Sequence, residues 1–599
     1  MTYEAPLNDM MFVLNEICDA GSLSKLKGFE DATPDTIAAV LEQAATFATE
    51  VLEPLNRTGD KSGARRTEIG VQTTEGWKDA YRQFTEGGWN GLVFGSEFGG
   101  MGLPWVVNAG MQEMLNASNM AFALCPLLTQ GAIEAILLNG SNELQQLYLP
   151  KMVTGEWTGT MNLTEPQAGS DLAAVRTKAE RKDGHYLITG QKIFITYGDH
   201  DLSSNIVHLV LARLPDAPEG VKGISLFVVP KFIPDANGNP GKANDLRCVS
   251  LEHKIGIHGS PTAVMSYGDN GGAVGYVVGE ENRGLEYMFV MMNQARLSVG
   301  IQGLGIAERA YQRARAYAHE RVQGRIIGDR TPGAKPIAYH PDVHRMLMSM
   351  RARCEAMRCL AYSAAHSLDL ANAAADPVER ARQQARLDFL IPLVKGWCTE
   401  TACDVSSLAV QVHGGMGYIE ETGAAQHFRD ARITTIYEGT TGIQANDLIG
   451  RKMQRDNGSA AMALLAEIRS IERELGTRKE PEFAVIRAAV AQAADATEKA
   501  GRWLLGSGKE NAVAASAAAV NILHVFALTT AGALLGKAAL RAAQRRDLRP
   551  DNSNTYAEKI AVARFFASQV MPEIQGRLAA ILDAKEGALA LYPDPSAAG

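Results

Sequence analysis

The feature that most constrains the fold of this chain is a segment of β character, residues 158–283, between two long helical stretches. Within it, residues 185–196, 205–211 and 223–229 are rich in β-branched and aromatic side chains. Gly, Pro and Asp bound these runs, a pattern typical of strands. The connection at residues 230–245 is rich in Pro, Gly and Asn and is predicted to be turns. The chain therefore combines helices and a sheet in separate blocks, which indicates the α+β class.

Helical periodicity dominates the rest of the chain. From residue 34 to 151, and again from residue 284 to 412, apolar residues recur at three- and four-residue spacing. An alanine-rich helical stretch follows a polar break at residues 454–459 and is typical of an added four-helix-type domain. A chain of 599 residues is too long for one hydrophobic core. We expect an N-terminal helical domain (1–157), a middle β domain (158–283), a helical bundle (284–455) and an added C-terminal helical domain (460–599).

Composition excludes several classes of protein. Hydrophobic residues make up 46% and charged residues 21%, as in compact soluble proteins. A net charge of -8 argues against a protein that lives on nucleic acid or anionic lipid. The seven cysteines contain no C-x-x-C pair and are expected to be reduced thiols in a cytoplasmic protein. The first ten residues carry Glu4 and Asp9 and have no basic stretch before an apolar core, so no export signal is expected. The uncharged stretch 511–536 is expected to be a buried helix rather than a membrane span.

Chemistry-bearing residues cluster in separate segments that follow one another in a fixed order. A polar turn precedes the strands, a Thr ends the first long strand, and three further segments carry Arg, paired Gly and Glu. The five segments are NLTEPQAGSD (162–171), FIT (194–196), HERVQGR (319–325), QVHGGMGY (411–418) and IYEGTTGIQ (436–444).

At these five segments the sequence resembles the acyl-CoA dehydrogenase family. The similarity covers residues 35–455, and the complete chain resembles the longer subgroup with an appended helical domain. The resemblance implies a β-barrel-like middle domain, bound FAD and conversion of an acyl-CoA thioester to its trans-2-enoyl-CoA. It also implies electron-transferring flavoprotein as acceptor and a homodimer. Residues 254–262 and 3–10 are similar to members that act on 3-methylmercaptopropionyl-CoA in dimethylsulfoniopropionate breakdown, which suggests that substrate and methylthioacryloyl-CoA as its product.

Glu438 is the candidate catalytic base. It follows the apolar, β-branched run 433–437 and precedes Gly439, so its carboxylate is expected to enter a partly dry cavity. Desolvation raises the pKa of a carboxylate toward neutrality, as a base for a weak carbon acid requires. The resemblance implies that Glu438 removes the α-proton of the thioester. It also implies that the Glu438 backbone N–H and a flavin hydroxyl stabilise the enolate.

The resemblance also implies the binding residues. Residues that would contact FAD lie in all five segments, except Met161, which directly precedes the first. They comprise Met161, Leu163, Thr164, Phe194, Ile195, Thr196, Arg321, Gln323, Gln411, Gly414, Gly415 and Thr440. The expected contacts of the acyl-CoA are Ser170, Asn293, Arg296 and Gly439.

Alternatives stay open at this point. Within the family they are a medium- or long-chain dehydrogenase of β-oxidation and an acyl-CoA oxidase. Outside it, four arginines on one helix face (Arg541, Arg545, Arg546 and Arg549) keep a flavin-bearing DNA-binding protein in view, although they predict only weak, salt-sensitive binding. A scaffold without cofactor would be colourless. The glycine runs 300–305 and 414–417 follow no predicted strand, so they do not indicate a Rossmann fold.

Overall fold

The computed structural model describes residues 2–548 and 554–593. Helices account for most of these residues, and the strands are confined to residues 65–72 and 157–277. The helices are α1 Leu7–Phe12, α2 Pro34–Phe47, α3 Glu53–Ser62, α4 Trp77–Glu86, α5 Trp105–Asn139, α6 Asn142–Val153, α7 Gly284–Glu320, α8 Pro341–Ala373, α9 Pro377–His413, α10 Ala424–Ala431, α11 Thr441–Asp447, α12 Ser459–Leu475, α13 Pro481–Leu505, α14 Ser507–Glu510, α15 Ala512–Leu548, α16 Thr555–Phe565 and α17 Glu573–Leu582.

The chain forms two compact units. The first consists of Pro6–Leu41 together with the chain from Val299 onward, and it is helical. The second consists of Thr2–Ala5 and Glu42–Ser298, and it contains the strands. They are β1 Arg65–Thr67, β2 Gly70–Gln72, β3 Trp157–Asn162, β4 Lys178–Lys182, β5 His185–Thr196, β6 Asn205–Arg213, β7 Ile224–Pro230, β8 Phe232–Pro234, β9 Pro240–Ala243, β10 Leu246–Leu251, β11 Thr262–Tyr267 and β12 Ala273–Val277.

The main sheet of the second unit closes on itself. Its strands pair in the order β10-β11-β5-β12-β7-β6-β3, and β4 pairs with β5 on one side and β6 on the other. The ring β5-β12-β7-β6-β4 therefore has no free edge, which is the defining property of a barrel. The expected barrel-like middle domain is confirmed.

Strand β6 shows why a strand of this sheet can be apolar throughout instead of alternating between apolar and polar residues. Val207, Leu209 and Leu211 enter a core shared with helices α5, α6 and the start of α7. The intervening Val210 and Ala212 enter a second core within the barrel. Successive side chains of a strand point to opposite faces, so a strand buried on both faces is apolar throughout.

The structure corrects the expected secondary structure at two places. The stretch predicted as helical from residue 34 contains the hairpin β1–β2, in which the Thr67 hydroxyl donates to the Gly70 carbonyl at 2.8 Å. Gly70 has a φ of +129°, which a turn of this kind needs and which breaks the helical pattern. The connection predicted to be turns contains a second short hairpin, β8–β9.

The first unit is a helical bundle in which glycines allow close approach. A Cβ on Gly300 of α7 would lie 2.3 Å from a methyl of Val394, and one on Gly303 would lie 2.8 Å from the Cys398 carbonyl oxygen, both on α9. The run 300–305 is thus a helix contact, as expected of a segment that is not a nucleotide loop. Helix α15 packs on α9 in the same way, because a Cβ on Gly396 would lie 2.7 Å from Leu523.

Buried charges join the N-terminal segment, the bundle and the added helices within the first unit. Asp9 pairs with Arg358 and with Lys559. Arg358 also pairs with Glu308 at 3.0 Å, and Lys559 with Glu355 at 2.6 Å. We call these five residues the Asp9 network. The ion pairs connect α1, α7, α8 and α16 and so attach the added helices to the bundle.

Within the described residues, two helices, α5 and α15, are long and apolar enough to cross a membrane by length and composition. Most of each apolar window is buried inside the protein, 83% for α5 and 67% for α15. This burial agrees with the expectation that residues 511–536 form a core helix. All seven cysteines are free thiols, and six of them are buried.

Candidate active site

In the second unit, the first two predicted segments meet at the end of β3. Strand β3 leads into Leu163 and Thr164, and the Thr164 carbonyl accepts the N–H of Ile193 at 2.9 Å. The Lys192 ammonium donates to the Leu163 carbonyl at 3.0 Å. The loop that carries Leu163 and Thr164 is therefore held against β5 next to Phe194–Thr196.

A buried ion pair braces this loop. Lys192 is fully buried, and its ammonium lies 2.8 Å from a Glu165 carboxylate oxygen. Burial would raise the pKa of Glu165, but Lys192, the Thr177 hydroxyl and the Arg176 N–H together hold that pKa below its usual value. Burial lowers the pKa of Lys192 to about 8 despite the Glu165 charge. Both groups are charged at neutral pH, and we call the pair the Lys192–Glu165 brace.

The end of β5 presents an aromatic ring outward from a strained backbone. Phe194 has a φ of +60° and its side chain is 58% exposed, whereas Ile195 is buried. Thr196 is half-buried and pairs in register with Thr262 of β11. Tyr197 also has a positive φ, and its hydroxyl donates to the Ala121 carbonyl at 2.7 Å. An exposed aromatic at a left-handed position is unusual, and strained backbone of this kind clusters at functional sites.

A chain of buried hydrogen bonds lies behind the same loop. The Tyr267 hydroxyl donates to the Asn162 side-chain oxygen at 2.8 Å. The Asn162 amide donates to the Thr160 hydroxyl at 2.8 Å, and that hydroxyl lies 2.7 Å from His208 Nδ1. Burial lowers the pKa of His208 to about 3, so the imidazole is neutral. These hydrogen bonds anchor Asn162, the residue immediately before Leu163.

The remaining candidates of this unit differ in exposure. Met161 is 7% exposed and belongs to the core beside the helices, so little of its side chain is available to a ligand. Ser170 is exposed in the turn after β3. Arg296 is 4% exposed, so it is buried rather than on the surface, and it donates to Asn293 at 3.4 Å.

In the first unit, Glu438 lies in a tight turn between a short helical turn and α11. Glu438 has a φ of +55° and Gly439 a φ of +85°, two successive left-handed residues. The side chain of Thr440 caps α11 by accepting the N–H of Ile443 at 3.3 Å. The Thr441 hydroxyl donates to Glu400 of α9 at 2.5 Å. Glu438 is half-buried, as a base that exchanges protons with a ligand must be.

Two buried glutamines contact this turn. The Gln444 amide nitrogen donates to the carbonyls of Glu438 at 3.1 Å and of Gly439 at 3.4 Å. The Tyr437 hydroxyl donates to the Gln302 side-chain oxygen of α7 at 2.5 Å. Both glutamines are 0% exposed. Gln444 ends the segment 436–444 and Gln302 lies in the glycine run 300–305, but the sequence predicted no role for either residue.

The other FAD candidates of the first unit are exposed. Arg321 follows α7 and donates weakly to Gln323 at 3.4 Å. Gln411 is exposed near the end of α9, and a Cβ on Gly414 or Gly415 would meet no atom within 4 Å.

The turn after α9 is fixed from behind by a ring stack. His413 stacks on Tyr317 of α7 with ring centroids 4.4 Å apart. Its Nδ1 lies 2.7 Å from the Ala409 carbonyl oxygen. These contacts bring the ends of α7 and α9 together, and with them the Arg321 and Gly414 segments.

The arginine face offers little free charge. Arg545 pairs with Glu16 at 2.6 Å, Arg546 lies 3.8 Å from Glu480, and Arg541 lies 3.9 Å from Glu474. The fourth arginine, Arg549, lies outside the described residues. Acidic partners at three of the four positions weaken the DNA-binding alternative, because each cancels charge that would neutralise a phosphate.

This chain belongs to the acyl-CoA dehydrogenase family. Models of the family's domains match the chain in consecutive order. They are the acyl-CoA dehydrogenase N-terminal domain (34–156), the middle domain (160–269), the C-terminal domain (282–453) and the acetyl-CoA dehydrogenase C-terminal-like domain (464–592).

Particular relatives sharpen this assignment. The chain is 48% identical to 3-methylmercaptopropionyl-CoA dehydrogenase of Ruegeria pomeroyi over 98% of this chain and 99% of that one. The acyl-CoA dehydrogenase of Bacillus anthracis in complex with FAD has the same fold, with a TM-score of 0.71 and 22% identity over 98% of this chain and 92% of that one. A chain in the structure of electron transferring flavoprotein from Acidaminococcus fermentans aligns with a TM-score of 0.58 and 27% identity, over 70% of this chain and 98% of that one.

The protein is thus an FAD-dependent oxidoreductase, and its surfaces fit that cofactor. Phe194 presents an exposed aromatic face beside Thr196, as an apolar ring requires. The glycine turn at Gly414 has φ and ψ of +60° and -140°, a conformation that glycine alone adopts easily, and it leaves open space at the backbone. Arg321 offers an exposed guanidinium suited to a phosphate.

Proposed function

We propose that the protein dehydrogenates 3-methylmercaptopropionyl-CoA between its α and β carbons, with Glu438 as the base. The observation that carries this proposal is the conformation of Glu438. A half-buried glutamate in a left-handed turn, held by buried amides, costs about 1–2 kcal/mol of backbone energy. Strained backbone of this kind clusters at active sites, where the surrounding structure holds it in place. A base that must be positioned for proton transfer would explain why the strained conformation of Glu438 is retained.

The chain's own groups account for the proton transfer. The Glu438 carboxylate takes the α-proton, and its backbone N–H donates to the thioester oxygen, on which negative charge develops. When bound, FAD supplies the hydride acceptor. Gly439 and Arg296 contact the acyl-CoA, and Asn293 and Ser170 contact its CoA moiety.

The FAD-binding residues act in two groups. Leu163, Thr164, Phe194, Ile195 and Thr196 form the wall and polar edge for the flavin ring, and Met161 contributes only the small part of its surface that is exposed. Arg321 and Gln323 contact the dinucleotide, and Gln411, Gly414, Gly415 and Thr440 contact FAD as well, completing the site across a homodimer. The hydrogen bonds that hold residues 163–164 against β5 support the first group.

The substrate is supported by the relative from Ruegeria pomeroyi, which matches nearly the whole of both chains. Anaerobic titration of the purified holoenzyme with a panel of acyl-CoAs tests it, with bleaching of the flavin visible band as the signal. Bleaching by 3-methylmercaptopropionyl-CoA at a lower concentration than by butyryl- or octanoyl-CoA is expected. Preference for octanoyl-CoA would instead favour the medium- or long-chain alternative.

We further propose electron-transferring flavoprotein as the acceptor, a homodimer, and a cytoplasmic location. Turnover that depends on added electron-transferring flavoprotein is expected, with slow hydrogen peroxide formation in air. Rapid peroxide formation with air as sole oxidant would identify an acyl-CoA oxidase. The domain limits given above stay predictions; digestion that releases a stable fragment beginning near residue 460 would support the last of them.

A further inference from the structure

The turn that carries Glu438 is stapled by side chains that the proposed reaction does not itself use. Gln444 donates one amide group to two successive carbonyls, those of Glu438 and Gly439. Gln302 accepts the hydroxyl of Tyr437, the residue before Glu438. Residues 437, 438 and 439 are therefore each held by a fully buried glutamine. We call Gln302 and Gln444 the amide clamp.

Gln444 reaches the turn because of where it lies on α11. Side chains of a helix lean toward its N-terminus, so a residue in the first turn points back at the segment that precedes the helix. Gly439 makes room for it, since a Cβ there would lie 2.8 Å from the Gln444 amide nitrogen and 3.3 Å from Ile443. The absence of a side chain at Gly439 is thus needed both for its φ of +85° and for the clamp.

Gln302 reaches the turn from a different helix. It lies in the middle of α7, between Gly300 and Gly303, which press that face of α7 against α9. Burial, and then the charge of Glu438, raise the pKa of Tyr437 well above its usual value, so its hydroxyl stays a donor. Two separate helices therefore converge on three consecutive residues.

We propose that Gln302 and Gln444 are positioning residues that hold Glu438 in its proton-abstracting conformation. The proposal rests on the function proposed above for Glu438. The clamp binds backbone carbonyls and a neighbouring hydroxyl, so it orients the carboxylate without touching it. Both clamp residues are neutral, so they add no formal charge beside the base.

Proton abstraction can be measured apart from hydride transfer with methylthioacetyl-CoA. In this thioester a sulfur occupies the β position, so the molecule has α-hydrogens but no β-hydride to give. In deuterated water Glu438 takes an α-proton, exchanges it with solvent and returns a deuteron, and no oxidant is consumed. Mass spectrometry of the recovered thioester gives the exchange rate. Quenching of flavin fluorescence or absorbance changes give its Kd.

The wild-type holoenzyme should exchange the α-hydrogens, and Glu438→Gln should not. Gln444→Met is expected to slow exchange about 10- to 100-fold, because a displacement of about 1 Å at a reacting group has effects of that size. The Kd for methylthioacetyl-CoA and the FAD content should stay within about threefold of wild type, since the clamp does not contact the ligand.

The hydrogen bond between Tyr437 and Gln302 is tested with variants of both residues. Gln302→Met and Tyr437→Phe should each slow exchange about tenfold, and the double variant should be no slower than either, because both remove one hydrogen bond. Gln383→Met is the matched control. Gln383 is a buried glutamine of α9 whose amide donates to Glu379 at 2.8 Å, and its loss should leave exchange unchanged.

The outcomes separate the two proposals. Wild-type exchange rates in Gln444→Met and Gln302→Met, with Glu438→Gln inactive, would overturn the clamp and leave the base intact. Slow exchange accompanied by an equal loss of affinity or of FAD would also overturn it, because the glutamines would then serve folding or binding. Equal exchange in wild type and Glu438→Gln would overturn the base and the clamp together.

Discussion

Two candidate functional segments, one in each unit, are supported in opposite ways. In the second unit, the loop with Leu163 and Thr164 is braced by a buried ion pair, Lys192 and Glu165. In the first unit, the turn with Glu438 is held by two neutral amides, Gln302 and Gln444. Each segment also has a left-handed residue that is not glycine, Phe194 beside the loop and Glu438 in the turn.

The difference follows from the role proposed for each segment. Neutral amides fix the geometry of the Glu438 turn without adding a formal charge of their own. The loop at Leu163 carries no titrating group in the proposed reaction, so a stronger, charged support does no harm there.

The largest expected effect comes from the base itself. Glu438→Gln keeps the size and hydrogen-bonding capacity of the side chain but cannot accept a proton, so flavin bleaching by substrate should slow about ten-thousand-fold. The variant should stay yellow and bind acyl-CoA normally. Stopped-flow absorbance under anaerobic conditions measures the rate. A colourless variant would show that the residue is structural.

Breaking the charged brace should affect stability rather than proton transfer. Lys192→Met leaves Glu165 buried without its counter-charge, so the free energy of unfolding should fall by about 3–5 kcal/mol and FAD should be lost more easily. Glu165→Gln should cost less, because Lys192, with a pKa of about 8, can shed its proton. Urea unfolding and FAD content measure both. Equal losses in the two variants would contradict the asymmetry.

The Asp9 network offers a second test of buried charge, within the first unit. Burial would raise the pKa of Asp9, but Lys559 and Arg358 lower it from 3.8 to about 2. The network therefore contributes fully above pH 3.8, and about 2 kcal/mol of stability is lost as the pH falls through 3.8 toward 2. In Asp9→Asn this part of the acid dependence should disappear, which urea unfolding at pH 5, 4 and 3 can detect. An unchanged profile would argue against the network.

The smallest expected effect concerns the backbone strain that Phe194 and Glu438 share. Phe194→Gly should leave the apoprotein more stable than Phe194→Ala by about 1 kcal/mol, because glycine accepts a φ of +60° without penalty. Glu438→Gly and Glu438→Ala should differ in the same direction. Thermal unfolding of the four variants without FAD is the measurement. Equal stabilities at either position would mean that its left-handed conformation is not retained.

Much of this architecture could be predicted from local pattern. The long strands at 185–196 and 205–211 and the helices at α8 and α9 lie where periodicity placed them. The hairpin β1–β2 was missed because its strands are three residues long, too short for a period to show. The five segments were found because each combines chemically distinctive residues in few positions.

The Lys192–Glu165 brace and the amide clamp could not be predicted from the sequence, although it carries weak signals of both. Lys192 is a basic residue inside a strand, directly before Ile193 and Phe194, and Gln444 ends a motif that already contained Glu438. Each side chain has an ordinary surface explanation in a sequence alone. Only the burial of both partners gives the contact its energetic weight.

The sequence by itself determined the order of helices and strands, the apolar character of the doubly buried strands and the residues able to do chemistry. These depend on spacing within a few residues, which the chain carries locally. The tertiary structure decided which of these residues are fixed in position and which buried side chains fix them. Tyr437 and Gln302 are separated by 135 positions, and Lys192 meets Glu165 across 27. Such pairings follow from the packing of whole elements, because hydrogen bonds and ion pairs act over a few ångströms while periodicity reports only which face is buried.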